Sequence, residues 1–296
     1  VPASSANLGP GFDAVGLALG IYLECSFRES SELSIRVEGR DADAISAGED
    51  NLIWQTALAV ARDMRMPMPP IELQIRNDIP VGKGLGSSAA ALAAGVIIAD
   101  RLLGLHWKPL RILDEAARLE GHPDNVAACI LGSVVASAID SGGVARTVRL
   151  NMPPQFGVGV VVPDFVLPTS HARSVLPDCY PRADAIFNVQ RAALLMAAIA
   201  TGSVSAFPAA LEDKFHQPYR AALVPGLDDI LKLRAPGMLG CALSGAGPSI
   251  LVFYERGYGQ VCDLVRQVFA LHGHASEVLV APVAECGFLL QEGSET

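Results

Sequence analysis

The sequence is poor in aromatic side chains (6%, with only two Trp) and in charge (18% Asp, Glu, Lys and Arg). The charge it has leans acidic, with 22 Lys and Arg against 31 Asp and Glu and a formal net charge of −9. That balance lacks the basic footprint by which proteins hold nucleic acid or anionic membrane surfaces, so neither is expected as a partner. It does not exclude a small anionic ligand, which a few local donors can hold. No apolar run reaches the roughly 18 residues of a membrane span; the longest, 89–99 and 192–200, fall short. No basic segment leads into an apolar stretch at the start, so no export signal is read there and a cytoplasmic location is expected. The chain begins at Val1 rather than Met. Its cysteines (Cys25, Cys129, Cys179, Cys241, Cys262 and Cys286) are widely spaced, with no C-x-x-C pair. This argues against a disulfide scaffold or zinc module and for reduced thiols.

What is present is apolar bulk: 51% of 296 residues are hydrophobic, ample for a packed core and, by length, for two domains. The 28 Gly and 20 Pro follow no period and imply many turns. Alternating patterns predict strands over 21–27, 32–37 and 71–75. Helical spacing predicts helices over 51–64 (apolar stripe Leu52, Trp54, Leu58, Ala61), 110–119 and 125–128, and one capped by Ser87 or Ser88 running to 103. Segments 133–138 and 145–150 read as a strand pair around Ser141-Gly142-Gly143. A boundary is expected at Asn151-Met152-Pro153-Pro154, dividing 1–154 from 155–296. Beyond it come a strand over 156–162, helices over 183–200, 206–211 and 258–271, and strands over 238–243, 250–254, 275–280 and 286–290. Such mixing predicts an α/β or α+β fold.

The most telling local feature is Pro80-Val81-Gly82-Lys83-Gly84-Leu85-Gly86-Ser87-Ser88-Ala89-Ala90, between a predicted strand and a predicted helix. Glycine lets backbone N–H groups turn toward an anion, and a helix N-terminus adds unpaired donors and partial positive charge. Two successive hydroxyls suit phosphate oxygens or Mg²⁺, so the segment reads as a nucleotide-triphosphate loop. It is not a Walker A loop, because Gly82-Lys83 is followed by Gly84 and not by Ser or Thr. A dinucleotide fingerprint over 84–89 lacks the acidic residue about 20 positions on.

Pro80 to Ala90 resembles the ATP-phosphate motif of the GHMP kinases, the superfamily of galactokinase, homoserine kinase and mevalonate kinase. Pro2-Ala3-Ser4-Ser5-Ala6-Asn7-Leu8-Gly9-Pro10-Gly11-Phe12-Asp13 is similar to the N-terminal motif of its homoserine kinase branch. Leu243-Ser244-Gly245-Ala246-Gly247-Pro248-Ser249 resembles the C-terminal glycine motif. Glu120-Gly121-His122-Pro123-Asp124-Asn125-Val126 and Thr169-Ser170-His171-Ala172-Arg173 are further blocks typical of that branch, in family order. The resemblance implies a two-domain α+β fold, with a ribosomal-protein-like N-terminal domain, a ferredoxin-like C-terminal domain and the site in the cleft between them. It also implies ATP, Mg²⁺, L-homoserine as acceptor, a place in threonine biosynthesis and a homodimer.

Carried over residue by residue, the resemblance assigns Ser88 and Glu120 to the metal, which suits the hard-oxygen preference of Mg²⁺. Asn7, Asp13, His122, Thr169, Arg173 and Arg220 fall to the acceptor, the arginines to its carboxylate. Asn125 stands where some relatives carry a catalytic Asp. A neutral amide takes no proton, so direct in-line attack is expected around Asn125 and Arg173, with Asp124 as rival base. His106, His216, His272 and His274 receive no role. Three alternatives remain: a GHMP kinase for another small alcohol, a non-catalytic nucleotide-binding protein, and a nicotinamide-dependent oxidoreductase.

Overall fold

The structure, a computed structural model, describes residues 1–291. The first half of the chain builds a sheet from β1 (Pro2–Asn7), β2 (Gly11–Glu29), β3 (Ser34–Gly39), β4 (Ile71–Asn77), β5 (Val134–Ile139) and β6 (Ala145–Leu150). The order is β3-β4-β2-β5-β6, with β1 paired to β2. Only β3 and β4 run parallel. Four helices belong to this half: α1 (Leu52–Met64), α2 (Ser87–Leu102), α3 (Pro109–Glu120) and α4 (Asp124–Leu131). The Ala-rich α2 lies among the other three and is buried almost all round. Small side chains permit that: a Cβ on Gly95 would sit 2.5 Å from the Ile53 carbonyl oxygen and the Thr56 Cβ of α1.

The second half builds an antiparallel sheet from β7 (Phe156–Pro163), β8 (Met238–Leu243), β9 (Ile250–Glu255) and β10 (Ser276–Leu279), in the order β10-β7-β9-β8. Its helices are α5 (Thr169–Ser174), α6 (Arg182–Thr201), α7 (Phe207–Ala210), α8 (Gln217–Arg220), α9 (Leu227–Lys232) and α10 (Cys262–Leu271). Strand β7 explains why its sequence is apolar without a break. Phe156, Val158, Val160 and Val162 face a core shared with the first sheet, and Val161 faces a second core with Val265 and Phe269. A strand covered on both faces has no solvent-side positions for polar residues. The α+β class expected from the sequence is the one observed.

Several local details differ from the sequence reading. Pro2–Asn7 is a strand, paired with the early part of β2, where no strand was expected. The N-cap of α2 is Gly86 in the left-handed region (φ 68°), not a serine. Asn51 caps α1 by accepting from the Ile53 and Trp54 amides (3.0 and 3.3 Å). Leu52, placed in the apolar stripe from its spacing, is 43% exposed; the buried face is Ile53, Trp54, Ala57, Val60 and Ala61. Residues 286–290 form no strand. The preceding segment returns to the first sheet, where Gly20 N–H donates to the Pro282 carbonyl (2.8 Å) and Ala284 N–H to that of Ala18 (3.0 Å). Helix α6 is long and apolar enough to cross a membrane by length and composition. Here Asn188, in its middle, donates to the Pro10 carbonyl (2.7 Å), and Leu195 and Ile199 are buried in the shared core.

Candidate active site

A cleft of about 410 Å³ runs along the phosphate loop and is closed on its far side by α5 and the 245–246 turn. Nearly every residue singled out from the sequence lines it: Pro80 to Ala89, Asn7, Asp13, Glu120, His122, Asn125, Thr169, Arg173 and Arg220. Ala90 does not, being fully buried within α2. Asp124, Phe12, Gly245 and the wall Ile45, Ser46, Asn51, Leu52 and Ile53 join the lining.

The loop glycines Gly82, Gly84 and Gly86 all have positive φ (69°, 75° and 68°). Two of them also answer to the protein behind the loop. A Cβ on Gly84 would meet the Ser244 carbonyl oxygen and lie 2.7 Å from that of Gly247; one on Gly86 would strike the Ser4 hydroxyl. The absence of Cβ at Gly86 thus serves packing against β1. Lys83 is engaged by backbone. Its Nζ donates to the Pro163 and Phe165 carbonyls (2.8 and 2.9 Å), and burial lowers its pKa. Val81 N–H is also spoken for, by an Asp41 carboxylate oxygen at 2.9 Å. Ser87 and Ser88 open α2, with Ser88 exposed to the cleft.

At the other end of the cleft, the N-terminal motif brings Asp13 (φ 55°) against Arg173 in a two-pronged ion pair of 2.8 and 3.2 Å. Asn7 (φ 71°) fastens this turn: its Nδ2 donates to the Gly245 carbonyl (2.9 Å) and its Oδ1 accepts from Asp13 N–H (3.0 Å). The oxygens of Asp13 and Asp124 and a His122 ring nitrogen fall within 4.8 Å of one another. Asp124 is buried and engaged, its Oδ1 meeting His122 Nδ1 at 2.8 Å and accepting from the Asn125 amide at 2.7 Å. That contact raises the His122 pKa. Asn125 turns its Oδ1 to the Ser4 hydroxyl (2.9 Å). Burial raises the Glu120 pKa, and the Asp124 charge pushes the same way. The nearest cationic partner of Glu120 among the described residues is His122, at 4.0 Å. Arg220 is buried, and burial and the nearby Arg173 push it down to about 10. Thr169 opens α5 and is exposed to the cleft.

Sequence reasoning passed over His216, which contacts Arg220 and is fully buried. The signal was present: His and Arg four apart share one face of a helical turn. It also passed over Ser4 and Phe12, whose partners are distant in the chain.

Two family models match the chain, GHMP kinases N terminal domain over residues 51–133 and GHMP kinases C terminal over 195–260. The homoserine kinase of Solibacter usitatus (strain Ellin6076) is 72% identical over 290 residues, covering 98% of this chain and 95% of that one. The chain belongs to the homoserine kinase family. A second member, from Moorella thermoacetica, is 41% identical, with 92% of each chain covered. Among solved structures, homoserine kinase from Cytophaga hutchinsonii superposes with a TM-score of 0.82 at 28% identity, over 97% of this chain and 94% of that one. A mevalonate kinase of L. major, at 15% identity and TM-score 0.69 over 95% and 94% of the two chains, shares the fold.

Proposed function

We propose that the protein transfers the γ-phosphoryl group of ATP to the side-chain hydroxyl of L-homoserine, giving O-phospho-L-homoserine, in threonine biosynthesis. The observation that carries this reading is the Asp13–Arg173 pair at the acceptor end, with Arg220 beside it. A carboxylate and two guanidinium groups match the ammonium and carboxylate of a zwitterionic amino acid. Both partners of the pair are about one-third exposed (34% and 38%), so each can be reached by one end of the substrate. A neutral sugar leaves the arginines without an anion, and mevalonate and shikimate, which carry a carboxylate but no ammonium, leave Asp13 without a cation.

The free N–H groups of the loop from Gly82 to Ser88 and the α2 N-terminus bind the phosphates. Ser88 and Glu120 are the residues for Mg²⁺. Both offer hard oxygens to the same cleft, and the half-buried Glu120 carboxylate has no Lys or Arg ion pair among the described residues. When bound, the ion offsets the charge that develops on the transferring group. His122 and Thr169, which line the same cleft, are assigned to the acceptor. Asn125 is neutral and is not assigned as base, and Asp124 stays its rival for that role; alignment and charge stabilisation drive the transfer. The division at 154–155, the homodimer and the cytoplasmic location belong to the same reading.

The test is ADP release with ATP and Mg²⁺ against homoserine, serine, mevalonate, shikimate and galactose. Homoserine is expected to stimulate release far above the others. Stimulation by another acceptor alone would transfer the site to that alcohol.

A further inference from the structure

Arg220 stands in the cleft on a support the reaction has not used. Its Nε donates to the Ala172 carbonyl (3.0 Å), next to Arg173, and its Nη1 to the Gly245 carbonyl (3.1 Å). Nη1 also meets Nδ1 of His216 at 3.0 Å. A guanidinium only donates, so this Nδ1 accepts and carries no proton. The proton sits on Nε2, which donates to the Gly9 carbonyl at 2.8 Å. The ring is fully buried and stacks on Phe12, centroids 5.5 Å apart and planes inclined by 26°. Asp213 sets the turn that delivers it, accepting from the amides of Phe215, His216 and Gln217 at 2.8, 3.1 and 2.7 Å. Among the described residues, no hydrogen bond engages Nη2 of Arg220, and the residue lines the cleft.

We propose that His216 is a positioning residue for acceptor recognition, its unprotonated Nδ1 holding Nη1 of Arg220 so that Nη2 faces the cleft as donor to the acceptor's carboxylate. The inference rests on homoserine being the acceptor. It makes the N-terminal motif part of the carboxylate site, through Gly9 and Phe12 on the imidazole. It also requires the imidazole to stay neutral. Burial and the Arg220 charge favour the neutral ring, and they outweigh the Asp213 carboxylate 3.5 Å from Nε2.

The test compares His216→Phe, which keeps an aromatic ring against Phe12 but accepts nothing, with His216→Gln, whose amide both accepts and donates. For His216→Phe the KM for homoserine is expected to rise about tenfold or more, as for losing a hydrogen bond to a charged group, with kcat and the ATP KM changed by less than about threefold. Preference for homoserine over 3-aminopropan-1-ol, which lacks the carboxylate, falls with it. His216→Gln recovers part of the loss. If His216→Phe fails to fold, a cycle of His216→Gln with Arg220→Lys decides: the two losses are expected to be strongly non-additive. An unchanged homoserine KM, an equal rise in both KM values, or additive losses would overturn the proposal. Absence of homoserine-dependent ADP release in the unaltered protein would overturn the functional reading instead.

Discussion

Gly86 illustrates how a residue's identity is legible while its reason is not. The sequence marks it as one of three alternating loop glycines, and the anion reading has its Cβ blocking a phosphate. In the fold the Cβ direction points at the Ser4 hydroxyl of β1, with φ at 68°. Gly86→Ala is therefore expected to cost about 1–3 kcal/mol of stability, from left-handed strain and overpacking. Ser4→Ala in the same chain should return part of it, read by urea denaturation. A loss of ATP binding at full stability would restore the anion explanation. His122 carries a pH signature. Its hydrogen bond to Asp124 raises its folded pKa above the unfolded value near 6.5. The folded state then holds the proton more tightly, so this contribution is complete below about pH 6.5 and is lost as pH rises through the folded pKa. His122→Asn should cost more stability at about pH 5.5 than at about pH 8.5. A cost independent of pH would show that the contact does not depend on the imidazolium.

At the level of elements, the 80–90 loop and Arg173 turn out to share one strap. Lys83 grips the carbonyls of Pro163 and Phe165, and Leu167 N–H donates to the Gly82 carbonyl at 3.3 Å. Two residues later α5 begins and carries Thr169 and Arg173 into the cleft. The spacing of the loop was readable because glycine and serine chemistry is local. The direction of Lys83 was not, because its partners lie 80 and 82 positions away. A lysine on a phosphate would affect nucleotide binding alone. A lysine on the strap should affect both substrates, so Lys83→Ala is expected to raise the KM for ATP and for homoserine together, by a few-fold each. A rise confined to ATP would return the ammonium to a phosphate. Element edges moved for a related reason. The expected cap at Ser87 or Ser88 gave way to Gly86, because both serines are drawn inside the helix as its first turn. Leu52 left the buried stripe because it sits where α1 opens onto the cleft.

For the whole molecule, five motifs in chain order carried the family, and the family carried the α+β fold and the cleft. The sequence by itself marked the glycine-rich 80–90 loop, the acidic character and about half of the residues that line the cleft. Those follow from local backbone chemistry and from residue types that a given reaction requires. Tertiary structure alone decided what each of them faces. It closed the Asp13–Arg173 pair across 160 positions and hung Asn7 on the carbonyl of Gly245, 238 positions away. It also folded the 281–284 segment back onto β2 and gave His216 a partner in the N-terminal motif. Directions of side chains and long-range hydrogen bonds depend on how two cores pack against one another. No periodicity within a single segment records that.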